Sequence, residues 1–160
     1  MRPAYRLRLA VNLLNGSTLA GTLVARAGGA RLRPAGDGLL AGAGYRLPIP
    51  PPAAFCLGNV LVTRLSHAEF TGDTRLFRHE ARHATQYACC GGLVMLPLYG
   101  IAAAVSWLLT GDTGARNVFE QRAGLADGGY SATDLRPSLR HIRPPQTGTS
   151  RPPEAPVGYP

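Results

Sequence analysis

The chain has no lysine: all 17 of its basic residues are arginine, set against nine acids in 160 residues. Its three cysteines, Cys56, Cys89 and Cys90, are odd in number and show no Cys-x-x-Cys spacing. That set excludes a disulfide framework and reads as buried free thiols in a reducing compartment. A secretory leader is not expected. Asn12, Asn15, Gly16, Ser17 and Thr18 interrupt the apolar run that follows the first arginines, and the apparent cleavage site Ala25-Arg26-Ala27 contains an arginine. Long uncharged stretches are also scarce. The one that spans a membrane by length is Ala88 to Leu109, and it holds Pro97 and Gly100 with no second run to accompany it.

The net charge of +8 is unevenly spread. Residues 1–33 carry +6, residues 34–130 are neutral, and residues 131–160 carry +2. A nucleic-acid surface gathers charge on a folded face, often with interleaved aromatics. Here the excess sits at the chain ends, so no specific nucleic-acid partner is expected, and the chain is assigned to the cytoplasm, with membrane association as the alternative.

Length allows one core without a structural metal. Asn15-Gly16-Ser17-Thr18 caps a short helix that Gly28-Gly29 ends. Ala41-Gly42-Ala43-Gly44 reads as the turn of a small hairpin, and Asn59 to Leu65 as the best strand. Pro48 to Pro52 demands an extended connection. Asp73 or Thr74 caps a helix that runs to about Cys90, where Gly91-Gly92 stops it. A central apolar helix over 93–109, covered by amphipathic neighbours, and a third helix at about 115–126 follow. The pattern gives an α+β fold, a small N-terminal strand layer on a mainly helical core. Residues 1–36 form a basic segment with a short helix, 37–130 the main domain, and 131–160 a proline-rich tail expected to be disordered from Pro144.

The most informative segment is Arg78-His79-Glu80-Ala81-Arg82-His83. His-Glu-x-x-His on a helix stacks two imidazoles on one face, at a spacing that lets both bind one Zn²⁺, with the glutamate beside them as a base for metal-bound water. Chance gives roughly 0.0025 such matches in a chain of this composition. A stable site needs a third protein ligand. If the three helices run antiparallel, Glu120 lies about 7–8 Å along the third helix, almost level with His79 at about 9 Å along the first. Glu69, His67 and Asp127 are the weaker alternatives, and Glu120 also has a plain reading as a surface pair with Arg116. Cys89 and Cys90, six and seven residues beyond His83, lie roughly 9–10 Å further along the helix and are not ligands. Tyr99, Tyr87 and Tyr130 are candidates to stabilise an oxyanion.

These motifs resemble the compact bacterial gluzincin-type domains called minigluzincins. The likeness runs over about residues 55–130: the strand Asn59–Leu65, His79-Glu80-Ala81-Arg82-His83-Ala84-Thr85-Gln86, the connecting Pro97-Leu98-Tyr99-Gly100, and Phe119-Glu120-Gln121-Arg122-Ala123. The resemblance implies zinc held by His79, His83 and Glu120, Glu80 as general base, a small strand layer against the motif helix, and a peptide or protein substrate. A non-catalytic zinc scaffold and a membrane-associated protein with a helix at 88–109 are the competing expectations.

Overall fold

A computed structural model describes residues 1–50 and 53–137. Most of the expected disordered tail, and part of the Pro48–Pro52 connection, lie outside the described residues. The elements run α1 (Pro3–Leu14), α2 (Ser17–Ala27), β1 (Arg31–Pro34), β2 (Leu40–Ala43), β3 (Ala54–Leu57), β4 (Val60–Thr63), α3 (His67–Gly72), α4 (Thr74–Cys89), α5 (Met95–Thr110) and α6 (Val118–Ala123). Two 3₁₀ turns, Gly92–Val94 and Leu125–Gly128, flank the last helices. The fold is α+β, as the sequence pattern implies.

The four strands form one mixed sheet in the order β1-β2-β4-β3. β1 and β2 are antiparallel, β2 and β4 parallel, and β3 and β4 a hairpin. All four residues of β4 are buried because the sheet is covered on both faces. Val60 and Val62 pack with Ala25 of α2, whereas Leu61 packs with Ala84 and Tyr87 of α4. The alternation along one strand thus separates two layers of helix. Gly21 lets α2 come close: a Cβ there would overlap the carbonyl of Leu57.

A buried amide network ties the N-terminal helices to the motif helix. Asn12 Nδ2 donates to Asn59 Oδ1 at 3.1 Å and to the carbonyl of Ala84 at 2.8 Å. Asn59 Nδ2 in turn donates to Thr18 Oγ1 at 2.9 Å. Asn12 and Asn59 are both fully buried, so each unmade bond would cost about 1–3 kcal/mol of desolvation.

Four local expectations need correction. The basic residues 1–36 hold two helices rather than one, because α1 packs onto the domain and buries Arg8 and Asn12. Ala41-Gly42-Ala43 is strand, paired on both sides, and the turn lies at Gly36-Asp37-Gly38. The third helix is shorter than 115–126, since Gly124 adopts φ 90° and breaks it. The thiols differ too: Cys56 is buried, but Cys89 is exposed and Cys90 half-buried.

The largest departure is α5. It was expected to be enclosed by its neighbours, yet in the stretch Gly92–Thr110 only Gly92, Met95 and Ser106 are buried. Its inward side carries Met95, Tyr99 and Ser106, while Leu96, Leu98, Ile101, Val105, Trp107 and Leu108 face outward, as do Leu93 and Val94 of the preceding 3₁₀ turn.

Candidate metal centre

Capping fixes the start of the motif helix. Asp73 accepts from the backbone N–H groups of Arg75 and Leu76, and the helix then runs sixteen residues. One face sets Ala84 and Tyr87 against the sheet. The next face carries His79 and His83, against α6 and the 3₁₀ turn 125–128. α6 begins at its own cap, where Asn117 accepts from Phe119 N–H, and this cap brings Glu120 inward.

His79, His83 and Glu120 meet there, their nearest ligand atoms all within 4.8 Å of one another. Glu120 Oε2 lies 3.1 Å from His79 Nε2, and Glu120 Oε1 lies 3.5 Å from His83 Nε2. The two Nε2 atoms are 3.1 Å apart. The three residues are 3%, 7% and 2% exposed, so the cluster is closed to bulk water.

The outer nitrogens decide what the inner ones offer. His79 Nδ1 sits 3.1 Å from the carbonyl of Gly124, which can only accept, so Nδ1 carries the proton. His83 Nδ1 sits 2.8 Å from Gln86 Oε1. The Gln86 amide nitrogen donates to the carbonyl of Phe119 at 2.9 Å, which fixes the orientation of its oxygen and again puts the proton on Nδ1. Both neutral rings therefore aim Nε2 lone pairs at the Glu120 carboxylate. Lone pairs and an anion at 3.1–3.5 Å repel unless a proton or a cation lies among them. Glu120 Oε2 accepts no hydrogen bond in this buried setting. This donor set, with each imidazole anchored through its far nitrogen, fits a metal ion.

Tyr99, from α5, donates its hydroxyl to Glu120 Oε1 at 2.6 Å. Burial alone would raise the Glu120 pKa; without a metal, a proton on the His79 or His83 Nε2 and the Tyr99 hydroxyl donate to the carboxylate, outweigh burial and hold it well below its ordinary range. Burial also acts to lower the His79 pKa; Glu120 and Glu80 reverse that, and the net shift is upward. Glu80 is 4% exposed, with Oε2 unpartnered. Burial raises its pKa to about 7 against the pull of His83 and His79. It is within electrostatic reach of all three clustered residues without being one of them.

The alternatives named from sequence are placed elsewhere. Glu69 closes a capping box with Ser66. Asp127 pairs with Arg82 at 3.0 Å. His67 opens α3 and is not in the cluster. Arg116 lies outside α6 and uses its backbone N–H on Ser106. Tyr130 interacts with Tyr99 behind Glu120, whereas Tyr87 is buried within electrostatic range of Cys56 and Glu80. Three features escaped the sequence reading. The role of Gln86 was visible only as a motif letter, and the Gly124 carbonyl has no side-chain signature. Gly128 packs so closely that a Cβ would overlap the His79 imidazole. In comparison with known proteins, no family model, no curated protein and no solved structure matches the chain.

Proposed function

We propose that the chain is a zinc-dependent hydrolase acting on peptide bonds. The observation that carries this reading is the pair of Nδ1-anchored histidines converging on Glu120, with Glu80 buried beside them. Two tetrahedral ligands at 2.0–2.1 Å from zinc are about 3.3–3.4 Å apart; the two Nε2 atoms are 3.1 Å apart, and each lies 3.1–3.5 Å from one or the other oxygen of Glu120. Two imidazoles and a carboxylate leave one position for water, whose pKa zinc lowers toward about 7. Glu80, buried beside the ligands with one oxygen unpartnered, would be the group to take up a proton and pass it on. Tyr99 already serves Glu120, and Tyr130, half-buried and hydrogen-bonded to Tyr99, would be the hydroxyl available to an oxyanion.

Replacing Glu80 with Gln separates catalysis from scaffolding. Zinc stoichiometry should stay at the wild-type value while hydrolysis of a casein or peptide-library substrate disappears. An inactive wild type with one tightly held zinc would leave the site as a scaffold and refute the hydrolase reading.

A second reading concerns location, and α5 is the observation that favours it. Its outward arc has no polar side chain, whereas Tyr99, Ser106 and Thr110 turn inward or sideways. A helix on a water-facing surface has the opposite arrangement. Sixteen residues give about 24 Å of apolar face. At its far end the Arg136 guanidinium lies 5.1 Å from the Trp107 ring, an aromatic and basic pair of the kind enriched at bilayer interfaces. The reading is that α5 lies against a lipid surface with the domain above it. Sedimentation with phosphatidylcholine–phosphatidylglycerol vesicles should carry down the wild type but not an Ile101→Asp, Val105→Asp variant. A wild type that ignores vesicles, or that hides the face in a dimer, refutes it.

A further inference from the structure

A second place in the molecule has an electrostatic problem unrelated to the metal centre. Arg8, in the middle of α1, is 5% exposed. One of its nitrogens donates to the backbone carbonyl of Asp37, and its guanidinium lies 5.0 Å from the Tyr5 ring. Its Nε has no partner, and among the described residues no carboxylate comes within 4 Å of the group. Asp37 faces Arg8 with its carbonyl because the turn holds it at φ 48°. A buried cation without a counter-ion is costly. Burial accordingly lowers the Arg8 pKa, offset only in part by Cys56, Tyr5 and Asp37.

Arg8 opens onto a cleft of about 310 Å³ between α1, the 36–38 turn and the motif helix. The cleft is also lined by Arg78 and Arg82, one turn apart on α4, together with Tyr5 and Thr85. Arg82 is steadied by the carbonyl of Ala123 at 2.6 Å and by Asp127, while Arg78 uses only its Nε, on Thr74. None of His79, Glu80, His83 and Glu120 lines this cleft, so it is not the space around the metal ligands.

We infer that this cleft is an oxyanion-binding site that takes a phosphate-type dianion, free or as the monoester of a small molecule, on Arg8, Arg78 and Arg82. Three arginines line one small concavity; Asp37 stands at the rim and Asp127 pairs with Arg82. No carboxylate among the described residues lies within 4 Å of Arg8 or Arg78. That positive excess, spread over separate guanidiniums, matches a tetrahedral oxyanion better than a single carboxylate. The buried Arg8 supplies a fixed point and the two surface arginines close on the ligand from α4. A bound anion would cross-link α1 to the motif helix.

The test uses the full chain, without added metal, at constant ionic strength maintained with chloride. Inorganic phosphate should raise the melting temperature in a saturable way, since it binds only the folded form. Glycerol phosphate serves as the second probe: a lower half-effect concentration than phosphate identifies a monoester, and an equal or higher one a free anion. Arg78→Gln, at an exposed position, should need roughly tenfold more phosphate for the same effect. Arg8→Lys should do the same, and if that variant does not fold, Arg78→Gln decides alone. Asp37→Asn, which removes the rim charge, should lower the half-effect concentration. Neither probe differing from chloride would overturn the proposal, as would a phosphate response unchanged in Arg78→Gln.

Discussion

Replacing Glu120 with Gln tests the metal centre at its most specific point. The variant keeps an oxygen for the Tyr99 hydroxyl, now 2.6 Å away, and puts an amide nitrogen where Oε2 lies 3.1 Å from His79 Nε2. That amide donates to a ring nitrogen that a carboxylate only repels. The metal-free fold should therefore keep its melting temperature to within about 1 kcal/mol of stability. Metal binding should suffer, because a neutral and poorer ligand replaces the one anionic donor. Outer-sphere changes already cost 10–100-fold in affinity, so losing this ligand should cost on the order of a hundredfold or more. With free zinc at about 100 times the wild-type Kd, linkage gives about 2.7 kcal/mol of stabilisation. A hundredfold weaker site retains only about 0.4 kcal/mol at the same zinc concentration. At about 2–4 °C per kcal/mol, zinc should raise the wild-type Tm by about 5–11 °C and that of the variant by about 1–2 °C. Differential scanning calorimetry in chelator and in buffered zinc reads both numbers. A variant with the full wild-type zinc increment would show that Glu120 is not a ligand, whatever its position in the cluster.

The other predictions use separate parts of the structure. Gln86→Leu removes the acceptor that orients His83 and should weaken zinc binding by about 10–100-fold, read by competition with a chromogenic chelator, with little change in metal-free Tm. Gly128→Ala forces a methyl against the His79 ring and should lower zinc affinity; isothermal titration indistinguishable from wild type would mean the 125–128 turn yields freely. Asn12→Ala strands Asn59 Oδ1 and the Ala84 carbonyl and should cost about 2–4 kcal/mol in urea melts, without touching the metal. The pH dependence should invert with metal. In the metal-free protein the raised His79 pKa gives stability that is complete below about pH 6.5 and lost as pH rises through the folded value. Glu80, raised to about 7, adds a cost that grows from about pH 4.3 to 7, so metal-free Tm should fall as pH rises through neutrality. Zinc needs deprotonated ligands, so the zinc-dependent increment should grow over the same range, and parallel melts with and without chelator check the opposite slopes.

How much the sequence determined depends on whether the physics was local. The helical register of His79 and His83 follows from a four-residue spacing, and the Asp73 cap and the Gly91-Gly92 stop are signals within one turn of the helix they bound. Glu120 was named from helix lengths, yet the third helix begins at Val118 rather than at 115 and α5 is mostly bare. The Asn117 cap and the packing of α6 on α4 are what bring it to His79. The strand core at Val60–Thr63 was legible from its β-branched run. Other features needed the tertiary structure. Nothing local marks Arg8 and Asn12 as buried; only when α1 is placed against the 36–38 turn and Asn59 does each find partners distant in sequence. Ala41 to Ala43 looked like a turn because small residues and glycine have weak strand propensity, and pairing with β1 and β4 overrode it. The run 93–109 has the composition of a buried helix and of a lipid-facing one alike. Hydropathy measures how strongly a segment avoids water; which neighbours cover it is decided by the packing of α6 and the first 3₁₀ turn, and these leave most of α5 bare. The tautomers that aim both imidazoles inward depend on the Gly124 carbonyl and on Gln86, because a ring nitrogen's proton is set by what faces it across space.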